Sequence, residues 1–216
     1  MHHHFSKLLT RASLVFPTVI LAACGLLEPT ISPGSVLFQD DFSSPLGGWS
    51  RGQEVRFLAD YVDGGFLLSV LLPYSEAWSR PSLRFSDVRL EVDVTKLSGP
   101  DDNLIGVLCR FQDSQNYAFL LISSDGYAGL GIVRDGVRSL LADQVFMPHS
   151  AIAQGSASNH IRAECSGDRL SLTVNGELVS EGRGNAWADG DVALFVGTYA
   201  AAGVEVRFDN FSVIQP

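Results

Sequence analysis

The sequence predicts an all-β domain, folded as a two-sheet antiparallel sandwich from residue 36 onward. Short apolar runs with a period of two residues recur along this stretch, and turn-forming residues separate them. About a dozen such runs at intervals of roughly 8–12 residues are typical of a sandwich. Only residues 147–154 read as a single helical turn, which Pro148 leads into and Gly155 closes.

The clearest predicted strand covers residues 88–94, where apolar and polar side chains alternate over the whole run. Similar runs predict strands at 36–42, 105–111, 117–122, 128–134, 159–165, 170–174, 192–199 and 204–214. Several of them are separated by dipeptides that favour type I′ hairpin turns, namely Asp125-Gly126, Asp135-Gly136 and Asn175-Gly176.

The first 23 residues are predicted to be a targeting segment. Lys7 and Arg11 precede an uncharged, mostly apolar stretch at 12–23, which is too short to span a bilayer. Residues 21–24 read Leu-Ala-Ala-Cys, which resembles the lipobox of bacterial lipoproteins and implies that Cys24 is lipidated after cleavage. An ordinary secretory signal that happens to be followed by a cysteine is the alternative.

Residues 24–35 contain two prolines and two glycines, and their apolar residues show no periodicity. This segment is therefore predicted to be a short tether between the lipid and the domain at 36–216. The predicted mature chain keeps 13 basic and all 24 acidic residues, a net charge of −11. This balance argues against a nucleic-acid partner, because neutralising phosphates needs an excess of Lys and Arg. The expected location is the bacterial cell envelope, outside the cytoplasm, with the lipid as the membrane anchor.

Two cysteines remain for the domain. Alternation places Cys109 on one strand face with Ile105, Val107 and Phe111, and it likewise turns Cys165 toward the core. An oxidising compartment permits a disulfide between them, which we predict; two buried free thiols are the alternative.

Several motifs resemble the concanavalin A-like lectin/glucanase domains. The motifs are Asp-Asp-Phe-Ser at 40–43 followed by Gly48-Trp49, Cys-Arg-Phe-Gln-Asp at 109–113 with Asn116-Tyr117, Leu-Thr-Val-Asn-Gly at 172–176 and Phe-Asp-Asn-Phe at 208–211. They are most similar to laminin G-like and family 16 glycoside hydrolase-like domains of bacterial envelope lipoproteins. The resemblance covers nearly all of 36–216 and implies a jelly roll whose first strand pairs with its last.

The resemblance also implies where catalytic carboxylates would lie. Family 16 glucanases carry a strand of the form E-x-D-x-E or E-x-D-x-x-E, which places a nucleophile and a general acid on the concave face, and retaining chemistry needs both. Glu91 and Asp93 match the first two positions, but Thr95 and Lys96 stand where the acid belongs. We therefore predict no catalytic site, and an unusual glycosidase remains the alternative.

A sugar-binding face is the favoured hypothesis, because aromatic rings stack on sugars while planar polar side chains hydrogen-bond to them. The predicted residues are Tyr74, Trp78, Arg80, Arg110, Gln112, Tyr117 and Tyr127. Alternatively, Trp78 and Tyr117 only cover the sandwich, as aromatic residues on strands often do. Trp49 and Trp187 are expected to be core residues, and His160 is expected on a polar strand face beside Arg162.

No cofactor is predicted, with one reservation. Related jelly rolls often hold a structural Ca²⁺ near the paired terminal strands, and the resemblance implies Asp40, Asp41 and Asp209 as its ligands. These carboxylates are equally compatible with solvation or with hydrogen bonds to the backbone.

Together these features predict a lipid-anchored envelope protein with a non-catalytic, lectin-like domain for carbohydrate binding or adhesion. A glycoside hydrolase on the same fold and a structural protein that binds an envelope partner are the two alternatives.

Overall fold

The computed structural model describes Met1 and residues 32–143, 145–184 and 187–216, so Cys24 and most of the predicted tether lie outside the described residues. The described residues form β-strands, turns and loops, and they include no α-helix. The strands are β1 (Val36–Asp40), β2 (Gly52–Gln53), β3 (Phe57–Val62), β4 (Gly65–Val70), β5 (Glu76–Ser79), β6 (Arg84–Phe85), β7 (Val88–Ser98), β8 (Asn103–Asp113), β9 (Asn116–Ile122), β10 (Tyr127–Arg134), β11 (Val137–Leu140), β12 (Met147–Pro148), β13 (Ser158–Ser166), β14 (Arg169–Val174), β15 (Glu177–Arg183), β16 (Gly190–Thr198) and β17 (Val204–Ile214).

The strands form two antiparallel sheets, as the sequence predicts. The nine-stranded sheet has the order β15-β14-β13-β7-β17-β4-β3-β2, with β1 paired to β17. The eight-stranded sheet has the order β11-β10-β9-β8-β16-β5, with β12 on β10 and β6 on β16. The predicted pairing of first and last strands is confirmed, since Val36 lies opposite Ile214 and Asp40 opposite Phe211. The architecture is a jelly-roll sandwich.

Two of the three dipeptides predicted to form type I′ hairpin turns have the backbone conformation of such a turn. Asn175-Gly176 and Asp135-Gly136 have positive φ at both residues, as type I′ turns require. At Asp125-Gly126 only the glycine has positive φ. The predicted helical turn at 147–154 is instead strand β12 followed by one turn, in which the Ile152 N–H donates to the His149 carbonyl.

The main core fills the space between the sheets and consists of alternating strand residues such as Leu90 and Val92 of β7 and Leu194 of β16. Trp49 is 4% exposed in this core and Trp187 packs against it, which confirms both as packing residues. The predicted disulfide between Cys109 and Cys165 is present and joins β8 to β13 across the two sheets.

The predicted orientation of Phe111 on β8 is wrong. Phe111 does not share the core face of Cys109, because β8 has a bulge there: Arg110 has a φ of 52° and the pairing with β9 shifts between Cys109 and Asp113. The bulge turns Phe111 to the outer face of the eight-stranded sheet, where it packs with Leu108.

The two ends of the sandwich differ in what they carry. The Gly34 N–H donates to the Gln215 carbonyl at 2.8 Å, so the start of the described domain and the C-terminus lie together where β17 finishes. The loops at 71–75 and 199–203 lie where β17 begins, and they are joined by a 2.8 Å hydrogen bond from Tyr74 N to the Tyr199 carbonyl. The eleven residues of β17 separate these ends by roughly 35 Å.

The described residues hold no helix long and apolar enough to cross a membrane.

Candidate functional site

A second apolar layer covers the outer face of the eight-stranded sheet. Its members come from β8, β9, β10 and β16 and are buried although they point away from the main core: Leu104, Leu108, Phe111, Tyr117, Phe119, Leu121, Val133, Ala193 and Phe195. Half-buried side chains pack over them, among them Trp78, Leu140 and Phe146. Phe146 lies directly on Gly129, where a Cβ atom would come within 2.3 Å of its ring. This layer supports the surface described next.

Two hollows open side by side on that surface, at the end of the sandwich opposite Gly34 and Gln215. The first, here called the arginine hollow, has a volume of about 390 Å³ and is lined by Arg56, Tyr74, Ser75, Glu76, Leu104, Arg138, Thr198 and Tyr199. The second, the aspartate hollow, has a volume of about 230 Å³ and is lined by Asp102, Asn103, Leu104, Ser123, Asp125, Tyr127, Phe146 and Tyr199. Leu104 and Tyr199 belong to both, so the hollows form one continuous site.

Strand pairing positions the polar groups of the arginine hollow. Arg138 extends from the edge strand β11 over the ring of Phe119, 5.1 Å from its centroid, and donates to Glu76 of β5 at 2.6 Å. The buried Tyr117 phenol lies close enough to both side chains for their charges to act on it. Burial raises the pKa of the Tyr117 phenol, and the charge of Glu76 raises it further, so the phenol stays neutral at physiological pH.

The aspartate hollow is held by the turn between β9 and β10. Ser123 accepts the Tyr127 N–H at 3.2 Å and donates its hydroxyl proton to Asp125, which fixes that carboxylate at the rim. Asp102 is exposed on the neighbouring loop. Burial raises the pKa of the Tyr199 phenol. The positive charge of Arg138 lowers this pKa, and the negative charges of Asp102, Glu76 and Asp125 raise it. The Tyr199 phenol therefore lies between the charges of the two hollows.

Four of the predicted sugar-binding residues lie at or beside this site. Tyr74 is 77% exposed and lines the arginine hollow, while Tyr127 is 40% exposed and lines the aspartate hollow. Tyr117 is buried beneath Glu76 and Arg138. Trp78 lies half-buried on Phe111, with ring centroids 5.9 Å apart. Trp78 and Tyr117 thus also cover the sheet, as the alternative interpretation expects.

Arg80 lies on the same face but away from the hollows. Its guanidinium covers the ring of Phe111 at 4.6 Å and donates to Asp191 at 3.0 Å. Burial raises the pKa of the Asp191 carboxyl, and the N–H groups of Val192 and Leu83 together with Arg80 oppose that rise. The Arg80–Asp191 pair covers the apolar layer where β5 and β16 lie side by side.

The structure does not bring Arg110 and Gln112 to the hollows. The bulge directs Arg110 into a buried position, where it donates to the carbonyls of Gly167 and Trp187 and pairs with Asp87 at 2.9 Å. Gln112 accepts from Arg84 and donates to the carbonyls of Arg110 and Asp189. Both side chains hold together loops at the end where the termini lie.

Glu91 and Asp93 lie on the outer face of the other sheet, opposite the hollows. They share one face of β7, as alternation predicts, and both are occupied by protein partners. Arg162 donates to Glu91 at 2.9 Å, while Asp93 contacts His160 Nδ1 at 2.7 Å and accepts from Asn210 at 2.8 Å. The predicted placement of His160 on a polar face beside Arg162 is confirmed.

The three aspartates considered for calcium are held by protein donors. Asp40 accepts from the Phe42 N–H and from the Trp49 indole, and Asp41 accepts from Ser43. Asp209 accepts from Arg207 and from the Asn210 N–H. Within the described ranges no group of three or more His, Cys, Asp or Glu side chains is arranged to hold a metal ion. Calcium binding stays a prediction.

The lining residues that sequence reasoning missed include Glu76, Arg138 and Tyr199. Two of them carried a usable signal. Tyr199 is the last residue of the strand predicted at 192–199. Glu76 precedes Trp78 by two positions, so its side chain lies on the same strand face as Trp78. Arg138 gave no such signal, because β11 is a short edge strand without alternation.

No protein-family model matches the sequence, and no curated protein matches it at a significant level. Solved structures do match. The carbohydrate-binding module CBM66 from Bacillus subtilis is 16% identical with a TM-score of 0.62, and the match covers 77% of this chain and 95% of that one. A Bacillus licheniformis β-glucanase is 11% identical with a TM-score of 0.61, covering 83% and 98%.

A third similar structure is a Bacillus subtilis protein of unknown function with a galectin-like fold, which is 14% identical with a TM-score of 0.62 and covers 85% and 97%. At these identities the likeness establishes the fold. The domain is a concanavalin A-like jelly roll, as the sequence motifs imply.

Proposed function

We propose that this protein is a non-catalytic glycan-binding protein and that the two adjoining hollows are its binding site. The observation that carries the proposal is the continuity of the hollows, which share Tyr199 and expose three tyrosine rings beside carboxylate and guanidinium groups. Sugars present C–H faces that pack on aromatic rings and hydroxyls that bond to planar polar groups. The fold's likeness to a carbohydrate-binding module supports this proposal.

The test is a glycan array probed with the full chain carrying Cys24→Ala, which removes the lipidation site. We expect retention of at least one glycan, and we expect Tyr199→Ala and Tyr74→Ala each to weaken it about tenfold, the loss typical of an aromatic anchor. Leu46→Ala is the control, because Leu46 is 88% exposed and does not line the hollows.

A blank array would overturn glycan binding and favour a protein partner, whereas unchanged glycan binding by the Tyr199 variant would overturn only the assignment of the site. Release of reducing sugar from a polysaccharide panel would overturn the non-catalytic part of the proposal and favour a glycoside hydrolase.

We also propose that Cys24 anchors the protein to the membrane of a bacterial cell envelope. The charged, apolar and Leu-Ala-Ala-Cys segments in the required order support this proposal. The described domain begins at Ser32, at the end of β17 opposite the hollows, and β17 spans roughly 35 Å between these two ends. Incorporation of labelled fatty acid that Cys24→Ala abolishes is the expected result, and labelling that survives this change would refute it.

A further inference from the structure

We infer that the glycan bound at this site carries an isolated carboxylate, that of a uronic acid, which Arg138 recognises. The neighbouring sugar, over the aspartate hollow, is neutral or carries an amine. This inference rests on the proposed function and adds the class of ligand. Two observations support it: the lining charges of the two hollows are opposite in sign, and Glu76 and the ring of Phe119 fix the guanidinium of Arg138.

Arg138 is a prepared anion-binding group. A guanidinium has five N–H donors in a fixed fork that matches a carboxylate. Glu76 accepts at 2.6 Å and Tyr117 shares the cluster, yet a third of the Arg138 side chain is exposed, so donors remain free to reach the hollow. The ring of Phe119 beneath the guanidinium excludes water from one side, which strengthens a contact with an anion.

The arginine hollow has a positive balance in an acidic protein. Two arginines line it against one carboxylate, that of Glu76. The second arginine, Arg56, is largely exposed and has only a loose pairing with Glu54 at 3.8 Å. The lining side chains therefore present one more positive than negative charge to a ligand carboxylate, although the whole chain has a net charge of −9.

The aspartate hollow has the opposite sign. Asp102 and Asp125 line it, and its lining as described contains no Lys or Arg. The nearby Lys96 is 5% exposed, and its ammonium donates to the Gly99 carbonyl and to Asp101. A second carboxylate placed beside the first would be repelled, so a chain with an acid on every sugar is disfavoured.

Tyr117 is a positioning residue in this scheme. Its buried phenol lies beside Arg138 and Glu76, and we expect its hydroxyl to help hold the guanidinium at the hollow. Tyr117→Phe keeps the ring that stacks on Phe111 and removes only the hydroxyl. We expect this variant to weaken binding of an acidic glycan several-fold more than binding of the same glycan with its carboxyls reduced.

The experiment compares three probes by calorimetry on the full chain with Cys24→Ala. They are an oligosaccharide that alternates glucuronic acid with N-acetylglucosamine, the same compound with its carboxyls reduced to alcohols, and an oligogalacturonate of equal length. We expect the first to bind at least tenfold more tightly than either of the others. We also expect its affinity to fall between 0.05 and 0.5 M salt, because exposed charges are screened.

Variants identify the group responsible. Arg138→Gln should abolish the difference between the acidic and the reduced probe, and Arg138→Lys should restore only part of it, since lysine keeps the charge but loses the fork. Arg183→Gln is the matched control, because Arg183 is an exposed arginine paired with Asp168 at the other end of the domain. Circular dichroism confirms that each variant is folded.

The outcomes separate this inference from the proposed function. Equal binding of the acidic and reduced probes, or array hits confined to neutral glycans, would overturn the uronate assignment and leave glycan binding intact. Tight binding of the oligogalacturonate would overturn the requirement for an isolated acid. Retention of no glycan at all would overturn both proposals.

Discussion

Cys109 on β8 and Cys165 on β13 form a disulfide that links the two sheets within the apolar core. Both side chains are fully buried, and 56 positions of sequence separate them. The bond therefore closes a long loop that includes β9 to β12, among them the strands that carry Tyr127 and Arg138.

Replacing both cysteines by alanine should lower the free energy of unfolding by about 4 kcal/mol, because the cross-link restricts the unfolded chain over a loop of this length. Urea unfolding of the double variant and of the wild type, each with and without reductant, measures the effect. Equal midpoints for the oxidised wild type and the double variant would contradict it.

Arg110→Met should destabilise the fold by about 3 kcal/mol, because it leaves Asp87 and two carbonyls without their buried partner. Arg84→Met is the control: its pair with Asp189 is half-exposed on both sides and should contribute about 1 kcal/mol or less. Chemical denaturation provides both values. Glycan affinity should not change in either variant, and a loss of affinity in folded Arg110→Met would return that residue to the binding site.

Phe119→Ala should cost about 3–5 kcal/mol, since Phe119 is fully buried in the apolar layer on the outer sheet face. Leu178→Ala, on an edge strand and 53% exposed, should cost less than 1 kcal/mol. Thermal and urea unfolding compare the two. A small loss at Phe119 would mean that the outer layer contributes little to stability.

Asp191 should make stability depend on pH. Burial raises its pKa above the ordinary value of 3.8, so the folded state holds the proton more tightly than the unfolded state. The contribution of Asp191 to stability is therefore largest below that value and declines as the pH rises through the raised pKa. Asp191→Asn cannot titrate, so the wild type should lose stability relative to this variant from about pH 4 upward. A difference that stays constant between pH 3.5 and 7 would refute the shift.

Alternation predicted the long strands well, because their apolar residues face one common core. Residues 88–94 and 204–214 are strands as expected, and the pairing of the first with the last strand, which the resemblance implies, is present. The hairpin of β3 and β4 was missed, although Asp63-Gly64 has the same turn chemistry with positive φ at both residues. Its strands lack alternation, since β4 is buried on both faces at nearly every position.

The eight-stranded sheet shows why the site was only partly predictable. Residues 117–122 and 192–196 are apolar at every position because the sheet has a core on each side, so the pattern does not say which side chains face outward. A single bulge at Arg110 then reversed the faces expected for Arg110 and Phe111.

The sequence by itself determined the long alternating strands, the sandwich and the disulfide, because each depends on local periodicity or residue chemistry. Tertiary structure alone decided which polar groups meet. Glu76 lies on β5, Arg138 on β11 and Tyr199 directly after β16, and up to 123 positions separate them, so only the pairing order of the sheet brings them into one surface. Electrostatic interactions and hydrogen bonds among these side chains act over a few ångströms, and the order of residues along the chain does not specify such distances.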